Sequence, residues 1–157
     1  MRVSDIINTC NARLSSVDEF STDELIGYIN DSIDYISFLL ASVSDAEVVS
    51  SLVLTTPIAK PTNWIGFSPP KSAYPVVFNN NMLERAVGAP PSVVIKYTTS
   101  KPHVFASSDT MPFPDMYQGV ITMLVCQFAQ NRNEFDITQD KALSDMVFNA
   151  LSKAKGG

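Results

Sequence analysis

All ten prolines of this chain lie between residues 57 and 114, at positions 57, 61, 69, 70, 75, 90, 91, 102, 112 and 114, and the flanks contain none. Proline lacks a backbone donor and clashes with the preceding helical turn. The central stretch must therefore be strand and loop, while both flanks stay free to be helical. The predicted fold class is mainly α with a β-rich insert: a four-helix bundle-like core interrupted by a proline-rich insert of short antiparallel strands. Helices are expected over about 4–14, 22–42, 115–132 and 138–153, with the insert over about 48–113. All of it falls in a single domain spanning 1–157, a length that suits one ordinary domain.

The helix signals are specific. Ser4 is the expected N-cap of the first helix, whose inward stripe is Val3, Ile6, Ile7, Cys10 and Leu14. Ser21-Thr22-Asp23-Glu24 is a capping box for the second, with a stripe of Leu25, Ile26, Ile29, Ile33, Ile36 and Leu40. Glu24, Asp31 and Asp34 fall opposite that stripe, Tyr28, Tyr35 and Leu39 flank it, and Phe38 sits among the acids, about 140° from the stripe's centre. Pro114 opens the third helix. Asp136 or Thr138 is expected to cap the fourth, with Asp140 in its first turn. The expected core joins Ile29, Ile33, Ile36, Val120, Leu124, Phe128, Met146 and Leu151.

Within the insert, β-branched and aromatic residues at 48–56, 73–78 and 92–99 predict three strands. Asn79-Asn80-Asn81 and Gly88-Ala89-Pro90-Pro91 are turn signals, and they allow the second and third strands to be antiparallel neighbours.

Chemistry-bearing patterns are thin. The six glycines form no phosphate-cradling loop, and no Gly-x-Ser-x-Gly elbow accompanies the single His103. His103 is expected to face solvent or to bond locally. Cys10 and Cys126 lie in apolar helical patterns, as small buried thiols do, with no Cys-x-x-Cys spacing for zinc. Glu134, Asp136 and Asp140 lack the alternation and central glycine of a calcium loop and are read as capping groups. Trp64 is expected to pin its loop to the core. No enzyme activity, cofactor or metal is therefore expected, and no apolar run reaches the length of a membrane span.

Net charge is −5, the wrong sign for gripping phosphate backbones, so no tight nucleic-acid binding is expected. The charge is uneven: residues 1–50 sum to −7, residues 51–110 to +3 and residues 111–157 to −1. Either an acidic solvated face or head-to-tail packing of identical subunits accounts for this.

Several segments resemble the head-to-tail connector, or adaptor, proteins of tailed bacteriophages: Pro61-Thr62-Asn63-Trp64 after an apolar strand, Tyr74-Pro75-Val76, and Ile95-Lys96-Tyr97 before Lys101-Pro102. Asp109 to Tyr117 leading into an apolar helix, and Asn131 to Asp136 leading into the last one, complete the pattern. The resemblance implies a structural virion protein of the neck, made in the host cytoplasm. It implies a ring, commonly a dodecamer, between the portal protein and a tail or neck protein, lining the DNA channel. A tail-terminator or other neck protein, or a generic helical protein-binding module, is the alternative. On this reading Tyr35, Phe38, Asp31 and Asp34 meet a neighbour's Lys96 and Lys101. Connectors often reach the portal through a C-terminal extension; little follows Leu151 here, so Phe148, Leu151, Lys153 and Lys155 are the docking candidates.

Overall fold

A computed structural model describes residues 1–14, 19–132 and 137–156. The contacts divide the chain into two compact units, residues 1–36 with 101–157, and residues 37–100.

The first unit is helical. Helix α1 covers Val3–Leu14 and buries the predicted stripe of Val3, Ile6, Ile7, Cys10 and Leu14. Its start differs from the expected Ser4 cap: the Asp5 carboxylate, in the first turn, accepts the Arg2 N–H at 3.0 Å. Helix α2, Thr22–Ser42, begins as predicted, with the Ser21 hydroxyl accepting the Glu24 N–H at 3.1 Å. Asp115–Tyr117 is a 3-10 turn that leads into α3, Gln118–Gln130. A second 3-10 turn, Ile137–Gln139, precedes α4, Lys141–Ala154. Asp140 itself caps α4, accepting from the N–H groups of Ala142 and Leu143, so neither Thr138 nor the first-turn position of Asp140 survives. Asp136 lies outside the described residues. The 3-10 turn occupies the residues expected to open the helix, which moves the cap downstream.

Helix α3 packs against both α1 and α4, and the Tyr35 ring of α2 meets the Phe128 ring of α3 edge to face at 5.9 Å. Seven of the eight expected core residues are buried; Met146 is 42% exposed. Each fully buried Ile or Leu contributes about 1.5–3 kcal/mol relative to exposure. Residues 107–111 are tied to the chain start, with Val3 N–H donating to Asp109 O and Met111 N–H to Met1 O, both at 3.0 Å.

The second unit is a β structure of two three-stranded antiparallel sheets. Strands β1 (Val49–Leu54), β6 (Val93–Thr99) and β3 (Trp64–Phe67) form one, in the order β1-β6-β3. Strands β2 (Ile58–Ala59), β5 (Met82–Arg85) and β4 (Val76–Asn79) form the other, in the order β2-β5-β4. Leu54, Leu83, Val93 and Ile95 are its buried core, with Leu52, Ile58, Phe67, Tyr74 and Val76 packed on it. Trp64 stacks on Tyr97 at 5.1 Å and meets Phe67 and Phe78 edge-on, so it does pin its segment, as a strand residue and not a loop residue.

The fold class is accordingly an α+β combination of helices with two sheets, and the bundle interrupted by a small insert is wrong. The expected insert, residues 48–113, holds six strands with a hydrophobic core of their own, where three strands were expected. Nor are the second and third predicted strands neighbours. Asn79 pairs with Met82, and Asn80 and Asn81 have φ of 48° and 62°, the two-residue turn that closes a hairpin between β4 and β5. Strand β6 instead pairs with β1 and β3, Val53 opposite Val94 and Phe67 opposite Tyr97.

Candidate interaction surface

In the first unit, α2 holds the segment that follows the sheets. The Asn30 amide donates to Val104 O and accepts Val104 N–H, both at 2.9 Å. One turn on, Asp34 pairs with His103 Nε2 at 3.0 Å, so the histidine's partner is 69 residues away in sequence and not a local group. Next to this clamp Phe105 is 82% exposed. Its backbone is held: the Asp109 carboxylate accepts the N–H groups of Phe105 and Ala106 at 2.8 and 2.9 Å, which draws Asp109 below the ordinary aspartate range. Asp31 is shifted the other way, by partial burial first and by the nearby Asp34 charge second, against the opposing pull of His103.

Tyr35, expected at a subunit boundary, is buried against Phe128, and burial with the Asp140 charge pushes its phenol up. It belongs to the core because a ring flanking the stripe has helix α3 to cover it. Lys101 lies over the Phe113 ring at 5.8 Å. Among the docking candidates, Leu151 is buried, Phe148 half-buried, Lys153 exposed, and Lys155 sits over the Tyr117 ring at 5.9 Å. Leu151 therefore leaves that group, its side chain being spent inside the unit.

In the second unit, Phe38 is 58% exposed, in the last turns of α2. The outer face of the first sheet presents Val53 and Val94, cross-strand partners that are both 60% exposed, with exposed Lys96 two residues along β6. Sequence reasoning missed this valine pair. Val93-Val94-Ile95 is apolar on both faces and carries no alternation to show which residue points outward. It also missed Val87, fully exposed on a loop that Arg85 braces by donating to Thr55 O and Pro90 O at 3.0 and 2.9 Å.

Among the described residues no group of three or more His, Cys, Asp or Glu side chains converges as a metal site, and no helix is long and apolar enough to cross a membrane. Glu134, like Asp136, lies outside the described residues. No family model matches the chain, and no curated protein matches it.

Proposed function

We propose that this chain is a structural subunit that assembles into a closed ring, the head-to-tail connector of a tailed bacteriophage. In this reading the ring stands between portal and tail or neck in the virion, is commonly twelve-fold, and gives the genome a non-adhesive channel. The observation that carries the reading is Phe38, which leaves more than half of its side chain in water on a 21-residue helix. In this reading the exposed ring, held on regular structure, serves as an anchor for another protein surface. The exposed valine pair of the β unit, with Lys96 beside it, extends the same reading to a second, mildly basic surface.

Phe38 then enters a neighbouring subunit, and Asp31 and Asp34 face that neighbour's Lys96, with Lys101 as a further partner. Tyr35 has no part in the contact. Lys153 and Lys155, with the half-buried Phe148, remain for the portal. An acidic chain lets duplex DNA slide, because tight binding arises from neutralising phosphates.

Phe38→Ser tests this. The variant should keep the far-ultraviolet spectrum and melting temperature of the parent while losing ring formation on purified portal. Asp31→Lys should weaken assembly in a salt-dependent way, since exposed charges more than a Debye length apart are screened at physiological salt. A Phe38→Ser variant that assembles as well as the parent removes the anchor and the reading with it.

A further inference from the structure

We propose that Cys10 and Cys126 form a peroxide-oxidisable dithiol that closes into an intramolecular disulfide joining α1 to α3. Both thiols are free and buried, and their sulfurs are 3.8 Å apart, with Cys126 donating to Cys10. Cys10 in turn donates to the carbonyl of Thr122 at 3.9 Å, one turn before Cys126 on α3. The two sulfurs thus face each other across directly packed helices, and closing to a bond length of about 2.05 Å requires an approach of roughly 1.8 Å.

The two positions are chemically unequal. Cys10 is fully buried, and desolvation together with the adjacent Cys126 pushes its thiol up to about 12, so it does not initiate. Cys126 is the less buried of the two, at 9% exposed, and is assigned as the sulfur that meets a small oxidant first. Cys126 releases its proton, and its sulfur attacks one oxygen of hydrogen peroxide. The O–O bond breaks, the departing hydroxide takes up a proton to become water, and Cys126 is left as a sulfenic acid. The Cys10 sulfur then attacks that of Cys126 and gives up its own proton. The S–O bond breaks, and the hydroxide leaves with that proton as a second water. Two electrons from the sulfur pair have reduced one peroxide. The bond closes a loop across a sequence separation of 116 residues, and a cross-link of that span should raise the melting temperature by on the order of 10 °C. This chemistry stands whether or not the chain forms a ring.

The test is intact mass of the wild-type chain after hydrogen peroxide, under non-reducing conditions, with peptide mapping. The expected result is a loss of about 2 Da per chain, a peptide linking Cys10 to Cys126, and reversal by reductant. In Cys10→Ser, Cys126 has no resolving thiol and should gain about 16 or 32 Da instead. Wild-type chain that only gains oxygen, that links one chain to another, or whose two thiols both still alkylate after denaturation overturns the proposal. A Cys10→Ser variant left unmodified overturns the assignment of Cys126 as the attacking sulfur.

Discussion

Asn30 reads the backbone of Val104 on both sides, donating to its carbonyl and accepting its amide at the same 2.9 Å. A side-chain amide here does the work of a strand partner, for a segment that has left the sheet and has no ladder. Asn30→Ala leaves both backbone groups without their protein partner. Because the bonds are partly buried, the loss should be about 1–3 kcal/mol in urea unfolding. Asn30→Asp keeps the acceptor and loses the donor, and should fall between the two. Equal stability of Asn30→Ala and parent shows that water replaces the clamp.

Two apolar residues that the sequence assigns to one core, Leu124 on α3 and Met146 on α4, should respond differently to truncation. Leu124 is fully buried, and Leu124→Ala should cost about 2–5 kcal/mol. Met146 is 42% exposed, and Met146→Ala should cost less than about 1 kcal/mol. Equal losses at the two positions contradict the placement of α4.

Acid titration separates two aspartates with opposite signs. Asp109 is held below the ordinary value of 3.8 by the N–H groups of Phe105 and Ala106. Its contribution is therefore present above that value and lost as pH falls through the lower folded value. Asp31 is raised above 3.8, so its ionised form disfavours the fold at neutral pH, and that penalty disappears as pH falls through the folded value. Asp109→Asn should thus lower the melting temperature at pH 7 and flatten the acid limb of the stability curve. Asp31→Asn should raise the melting temperature at pH 7 and leave it unchanged at about pH 3. The same sign for both variants at pH 7 contradicts the assignment.

How much of this was legible beforehand depends on the length of each signal. The stripes of α1 and α2 repeat over several turns, and their burial follows from Ile6, Cys10, Ile29, Ile33 and Ile36. The proline-bounded segment was rightly read as non-helical, but β2, β3 and β5 have two, four and four residues. Runs so short show no periodicity, and β3 is further disturbed by an irregular register between Trp64 and Gly66. The Asn79-Asn80-Asn81 turn was visible; its consequence, a hairpin to Met82, was missed because Met82-Leu83-Glu84-Arg85 does not look like a strand. On the surface, the outward position of Phe38 followed from helical angles alone, whereas Tyr35 was misplaced because no single helix shows what its neighbour covers. The exposure of Phe105 had no sequence signal, since it depends on Asn30 and Asp109, residues 75 and 4 positions away.

The central claim is that identical copies close into a ring, and electron microscopy of the purified chain mixed with portal rings, alongside its solution mass, tests it most directly. The account predicts closed rings with one repeated subunit contact, commonly twelve-fold, seated on the portal, and their loss with Phe38→Ser. A chain that stays monomeric at all concentrations, and leaves the portal rings bare, contradicts it.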